Sequence, residues 1–150
     1  MLAEKFGMEY VDRDGTKKNP YIIHRTSIGC YERTLALLIE KYAGAFPTWL
    51  APTQVKILPI SDNQLEYAKA VAEKLTRAGI RLELDDRNEK IGYKIREAQL
   101  EKVPYMLVIG DKEVEAGAVA VRSRKNGDMG AKPADEFLAD ILKEIAEKSL

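Results

Sequence analysis

Past residue 53 the hydrophobic positions alternate between short apolar runs and helical stripes. Val55-Lys56-Ile57-Leu58-Pro59-Ile60 reads as an apolar strand. Ser61 and Gln64 have capping-box spacing, and Leu65, Ala68, Ala72 and Leu75 carry one helical face to a stop at Gly79. Ile80, Leu82 and Leu84 alternate with Arg81, Glu83 and Asp85, the period of a half-buried strand. After the polar turn Asp85-Asp86-Arg87-Asn88, the residues Ile91, Ile95 and Ala98 mark a second helix leading to a buried run from Tyr105 to Ile109, which Pro104 can only begin. Glu113-Val114, bracketed by glycines, and the alternation around Val119 and Val121 predict an antiparallel ribbon ended by the Asn126-Gly127 turn. Pro133 opens a last helix with Phe137, Leu138, Ile141, Leu142 and Ile145 on one face. Two βαβ units imply parallel strands and two hairpins add antiparallel ones at one edge. The expected fold is α/β, a mixed five-stranded sheet with about three helices.

The first third has a different rhythm. A polar segment from Asp12 to Pro20 between apolar runs predicts a hairpin-like connection, Tyr21 to His24 a short strand, and Leu35, Leu38 and Ile39 a helix ending near Gly44. Two prolines and no helical period between Phe46 and Pro52 place a linker at 47–53, separating 1–46 from a domain at 54–150.

Composition narrows the function classes. At 150 residues and 45% hydrophobic content the chain can bury one ordinary core with a small appendage. Lysines and arginines number 24 against 24 carboxylates, so attraction to nucleic acid must come from local clustering. The single cysteine excludes an intramolecular disulfide and suits a reducing compartment, with the cytoplasm as the default. No apolar run approaches the roughly 20 residues of a membrane span. Glu4, Lys5 and Glu9 stand where a signal peptide would be apolar, so a soluble protein with no membrane partner is expected. One histidine and one cysteine offer little for nucleophilic catalysis, and there is no GxGxxG or Walker-type loop. Taken alone, His24 reads as a structural histidine and Cys30 as a small packed residue.

The segment Arg87 to Arg96 says more. Arg87, Lys90 and Lys94, at i, i+3 and i+7 near a helix start, form a phosphate-attracting arrangement; the same residues read equally as a solvated face. Arg122 and Arg124 project to one side of their strand, with Lys125 following. Interleaved carboxylates favour hydrogen-bonded reading of bases over nonspecific grip.

Four runs then carry a resemblance. His24-Arg25-Thr26-Ser27-Ile28-Gly29-Cys30-Tyr31-Glu32-Arg33, Tyr42 to Pro52, Arg87 to Glu97 and Val103 to Glu113 closely resemble threonyl-tRNA synthetases of bacterial type, in the correct order and over essentially the whole chain. The resemblance implies the end of a class II catalytic core followed by an anticodon-binding domain. Gly29, Glu32 and Arg33 match motif 3, whose arginine contacts ATP in the full-length enzyme. His24 matches one of the three ligands of a zinc ion that selects threonine; motifs 1 and 2 and the other ligands are not in this chain. Cys30 stands where the family usually has serine. Asn88, Arg96, Glu113 and Arg122 match the residues placed against the anticodon bases, and these types suit unstacked bases: carboxylate to guanine N1 and N2, arginine to O6 or N7, asparagine to either edge. Arg87, Lys90, Tyr93, Lys94 and Arg124 are available for further phosphate or stacking contacts.

The expected partners are the threonine tRNA anticodon loop and the rest of a synthetase that, in the family, is a homodimer. Zinc, ATP and magnesium belong to that whole enzyme; the chain alone should bind RNA without aminoacylating it and without a cofactor. A stand-alone RNA-binding or regulatory paralogue recognising anticodon-like hairpins is the alternative, and a small α/β enzyme or ligand binder unrelated to RNA a third reading.

Overall fold

The computed structural model describes residues 2–26 and 29–150; Met1, and Ser27 and Ile28 of the motif 3 run, lie outside them. The chain forms two compact units, Met1–Leu35 and Ala36–Leu150. The first holds a short helix α1 (Leu2–Lys5) and a hairpin of β1 (Tyr10–Val11) and β2 (Lys17–Lys18), with Tyr10 paired to Lys18 and Val11 to Lys17. Its turn is closed by Asp12 N–H donating to Thr16 O at 2.9 Å and by the Lys18 ammonium on the carboxylates of Asp12 and Asp14. The strand expected at Tyr21–His24 does not form. Apolar run and ladder are separate requirements: among the described residues no strand supplies the donors and acceptors that this segment needs, and Tyr21 and Ile23 stay exposed.

Helix α2 (Tyr31–Tyr42) forms as the period predicts, crosses from one unit to the other, and ends in a turn that Gly44 accommodates at φ +76°.

In the second unit, β3 (Val55–Pro59) is buried throughout, as a central strand with parallel neighbours should be. A single 3₁₀ turn over Asp62–Gln64 leads into α3 (Leu65–Arg77). The expected cap is present: Gln64 Oε1 accepts from Ser61 N at 2.8 Å and from its Oγ at 2.9 Å. Then come β4 (Leu82–Leu84), α4 (Ile91–Leu100), β5 (Tyr105–Ile109), α5 (Asp111–Ala116), β6 (Ala118–Ser123), β7 (Gly127–Pro133) and α6 (Ala134–Glu147). The sheet order is β4-β3-β5-β6-β7, with β3 parallel to β4 and β5 and the last two pairings antiparallel, which is the mixed five-stranded sheet expected.

One element of the second unit also differs from the sequence reading. Glu113-Val114 is not extended but lies in α5, because Asp111 and Glu113 favour a helix amino terminus and Glu113 caps it from within. The antiparallel ribbon therefore consists of β6 and β7 only.

Strand alternation sorts the core onto two faces. Val55, Ile57, Leu107, Ile109, Val119 and Val121 meet Ala68, Val71 and Leu75 of α3 and Phe137 and Ile141 of α6. On the opposite face Leu58 and Met106 meet Ala98, with Ile91, Ile95 and Val108 around them, so α4 stands alone there.

The proline-bearing segment expected as a linker is packed into the second unit, with Pro47, Thr48 and Ala51 buried. Its carbonyls, and those just before it, are held by side chains that flank the ends of β3, β4, β6 and α4. Lys102 Nζ donates to Ala43 O at 2.5 Å, Arg124 to Ala45 O at 3.2 Å and Phe46 O at 2.7 Å, Gln54 Nε2 to Thr48 O at 2.9 Å, and Arg81 to Trp49 O at 3.1 Å and Ala51 O at 2.8 Å. Glu144 accepts from Thr48 Oγ1 at 2.6 Å and from Tyr105 Oη at 2.7 Å. Charge-assisted bonds to carbonyls are worth more than neutral ones, discounted here for solvent access. Arg124→Ala should lower unfolding stability by about 1–2 kcal/mol, read from urea titration, and should speed amide exchange across 43–51.

Candidate nucleic-acid interface

Helix α4 sets the geometry. With Ile91, Ile95 and Ala98 against the sheet, the 100° step of an α-helix puts Lys94, Glu97 and Glu101 on the flank toward β4. Gly92, Arg96 and Gln99 fall on the flank toward β6.

The β4 flank is saturated with internal bonds. Arg87, just before the helix, donates through Nε to Asp85 Oδ1 at 2.9 Å and through Nη2 to Asp85 Oδ2 at 2.6 Å and Glu97 Oε2 at 2.5 Å. These bonds hold the buried Asp85 carboxyl below the ordinary aspartate range despite the opposing effect of burial. Glu97 is lowered by Arg87 and then by Tyr93, whose hydroxyl is raised by the same hydrogen bond. Lys94 is 2% exposed and donates to Pro59 O at 3.3 Å and Asp85 O at 2.9 Å. Lys56 reaches from the floor of the sheet to Glu101 at 2.6 Å and Glu83 at 3.7 Å.

Three expected RNA contacts are corrected by this arrangement. Arg87, Lys90 and Lys94 do not share a helix face, since Arg87 lies before α4 and Lys90 is its amino-terminal cap residue. Lys94 is a buried strut, out of reach of a phosphate, and Arg87 is already neutralised by two carboxylates. Arg124 lies past the end of β6 with its guanidinium on the carbonyls of Lys102, Ala45 and Phe46. Lys90 is exposed, and its ammonium makes no hydrogen bond or ion pair among the described residues. Tyr93 keeps its ring half exposed while its hydroxyl serves Glu97.

The β6 flank is open. Arg122 pairs in register with Met106, Ala120 with Val108, and Ala120 with Ala131. Directly opposed residues share a face, so Arg122, Ala120 and Ala131 lie on the α4 side of the sheet, beyond the strip α4 covers. Arg96 is exposed on the facing flank, and its guanidinium is bonded to no described residue. A side chain started at Gly92 would meet nothing within 4 Å. The floor is thus made of small side chains between two arginines, a feature the sequence reading missed. Its signal was the pair of alanines at Ala120 and Ala131 on opposed ribbon strands.

Asn88 and Glu113 stand at the carboxyl ends of the parallel strands. Asn88 shares a small cleft with Ile60, Ser61 and Lys94. Glu113 is half-buried, and its Oε2 accepts from Gly110 N at 2.9 Å. A Cβ added at Gly110 would lie 2.8 Å from Ile60 Cδ1 and 3.0 Å from that Oε2, so Ile60 links the two regions. Arg122, opposite Met106 near the start of β5, is on the order of 13 Å away along the strand. The four residues therefore lie along a strip rather than around one pocket, Asn88 and Glu113 at one end, Arg96 midway and Arg122 at the other.

In the first unit, His24 is exposed and belongs to no group of three or more metal-capable side chains among the described residues, so these residues do not fit a zinc site. Gly29 takes φ +81° with its N–H on Thr26 Oγ1 at 2.9 Å. Glu32 accepts from Cys30 Sγ at 2.8 Å, which lowers its carboxyl, and Arg33 is exposed in the first turn of α2.

A mixed sheet with one crossover helix bordering an open antiparallel strip is the architecture of an anticodon binding domain. Residues 54–144 match the model of the anticodon binding domain family, and the chain belongs to it. Threonine–tRNA ligase from Clostridium perfringens is 64% identical over 147 residues, 98% of this chain and 23% of that protein. The ligase of the same name from Clostridium botulinum is 59% identical over 148 residues. The chain thus spans about a quarter of the length of these relatives. Among solved structures, the RNA binding domain of threonyl-tRNA synthetase from Cryptosporidium parvum superposes with a TM-score of 0.74 at 34% identity, covering 95% of this chain and 36% of that one. A prolyl-tRNA synthetase from the same organism, at 24% identity and a TM-score of 0.75, shares the fold.

Because Asp85 is depressed in the folded state, its contribution to stability is complete above about pH 4 and is lost as pH falls through the lower folded value. Arg87→Ala should lower the urea midpoint at pH 7, and the gap from the parent chain should narrow as pH falls below about 4 and through the depressed values of the two carboxyls.

Proposed function

We propose that this chain is the carboxy-terminal part of a threonine–tRNA ligase and reads the anticodon of threonine tRNA along the strip between α4 and β6. The observation that carries this is the sorting of cations: those on the β4 flank and below the sheet are consumed by internal bonds, while Arg96 and Arg122 border the open floor. Single-stranded bases splayed from a loop need flat access and convergent edge contacts, and small side chains at Ala120 and Ala131 give that access. Threonine anticodons share a central G. Arg96 or Arg122 would donate to its O6 and N7, and the Glu113 oxygen not used by Gly110 would accept from N1 and N2. Asn88 would read a neighbouring base, and Lys90 would meet a phosphate.

In the whole enzyme, an ATP-dependent ligase acting as a cytoplasmic homodimer, Gly29, Glu32 and Arg33 would border ATP with its magnesium. His24 would join zinc ligands supplied from elsewhere in that protein.

Fluorescence anisotropy with a threonine anticodon stem-loop, against one whose central G is replaced, tests the reading. Arg122→Ala should weaken the cognate complex by about 1–3 kcal/mol and blunt discrimination at that base. Glu113→Gln, which keeps an acceptor for Gly110, should do the same. Lys90→Ala should weaken both hairpins alike and reduce the salt slope by about one. Equal affinity of the parent chain for both hairpins discards the proposal, and tighter binding to an unrelated hairpin would favour a regulatory RNA-binding role.

A further inference from the structure

The β6–β7 ladder changes register at one place. Ala118 pairs with Pro133, Val119 with Lys132 and Ala120 with Ala131, and continued regularly that series would set Met129 opposite Arg122. A one-residue shift sets Asp128 there instead, with Met129 and Gly130 together opposing Val121. Because side chains alternate across a strand, the shift exchanges a thioether for a carboxylate on the face that carries Arg122. That carboxylate is anchored: Gly130 N donates to Asp128 Oδ1 at 3.0 Å, and Gly130 takes the positive φ of +78° at which the extra residue is absorbed. The other oxygen, Oδ2, lies 3.8 Å from Arg122 Nε. The Arg122 side chain has no other hydrogen bond or ion pair among the described residues.

The atom contacted decides what the arginine can do. A guanidinium with its carboxylate partner on the Nε side keeps both Nη groups free, and one planar edge of the group remains for a bidentate acceptor such as the O6/N7 edge of guanine. A guanidinium bonded through both Nε and Nη2, as Arg87 is by Asp85 and Glu97, has only Nη1 left to offer.

We propose that Asp128 is a positioning residue for base reading, delivered to Arg122 by the register shift and acting by fixing the plane of its guanidinium. The inference rests on the anticodon reading above. Side-chain entropy is the physical reason: an arginine biased toward one orientation before binding loses less freedom on meeting its base, so the anchored anion raises affinity for the correct base without touching RNA itself.

The test compares the parent chain with Asp128→Ala, Asp128→Asn, Arg122→Ala and the double variant Arg122→Ala/Asp128→Ala, each on the cognate and the central-G-replaced stem-loops. Asp128→Asn keeps an acceptor for Gly130 N while removing the charge, so it remains informative if Asp128→Ala disturbs the turn. Both Asp128 variants should bind the cognate hairpin about five- to tenfold more weakly, with affinity for the replaced hairpin unchanged. In the Arg122→Ala background the Asp128 substitution should change neither affinity by more than about twofold. In the free chain, the Arg122 Nε–H resonance should move and exchange faster in both Asp128 variants, a change that loss of the turn alone would not produce in Asp128→Asn. Equal tightening of both hairpins would mean that Asp128 only repels phosphate, and equal losses in both arginine backgrounds would mean a purely structural role; either overturns the proposal. Discrimination abolished by Arg122→Ala but untouched by the Asp128 variants sinks this inference alone, whereas discrimination untouched by Arg122→Ala sinks the anticodon reading as well.

Discussion

Lys94 carries a charge into the interior of the second unit, and the remaining features of the interface depend on how that charge is satisfied. An ammonium removed from water is costly unless acceptors surround it, and here the acceptors are the carbonyls ending β3 and β4, with the Asp85 carboxylate close by. Turning α4 by one residue step would drag Lys94 away from both carbonyls and lift Ile91, Ile95 and Ala98 off Leu58 and Met106. The helix therefore has one rotational setting on the sheet. That setting decides that Glu97 meets Arg87 on one side and that Arg96 is left facing solvent on the other.

A chain with no net charge can still present a cationic strip, provided its internal pairing is uneven. The carboxylates of Asp85, Glu83, Glu97 and Glu101 gather on the β4 side, where Arg87 and Lys56 answer them. Arg124, Lys102 and Arg81 neutralise no carboxylate but bind backbone carbonyls of the segment 43–51. What is left over near α4 is Arg96, Lys90 and the loosely paired Arg122. The attraction is local and short-ranged, which suits reading a few bases more than gripping a length of backbone.

Much of the fold was legible because it rests on periodicity. The strand Val55–Pro59, the stripes of α3, α4 and α6, and the run Tyr105–Ile109 stand where their hydrophobic spacing placed them. What spacing could not supply was the identity of the partner. Tyr21–His24 has a strand's composition and no strand beside it, and Lys94 has the position of a surface cation and the burial of a core residue. Glu113 was misread as extended because a six-residue helix shows too little period to detect, while its capping bond to Gly110 is visible only in space. The candidate reading residues came from resemblance, and the structure adds their order along a strip and the pairing of Arg122 with Asp128, whose register depends on a bulge that the sequence does not announce.

The open strip itself follows from mixing two kinds of strand connection. Strand β5 lies parallel to β3 and is reached from β4 by passing over β3, which needs a crossover long enough to return to the same end of the sheet, and α4 is that crossover, so it must cover the sheet it spans. Antiparallel β6 and β7 are joined by a tight turn and bring no helix with them, while α6, which follows β7, packs on the opposite face with Phe137 and Ile141 in the main core. The α4 side of β6 and β7 is consequently left bare by topology, and there the small side chains Ala120 and Ala131 need no partner to fill the space above them. A sheet wholly parallel would have buried that face; one wholly antiparallel would have lacked the helix flank that supplies Arg96. The open strip exists at the junction of the two, where a helix edge and an uncovered ribbon meet.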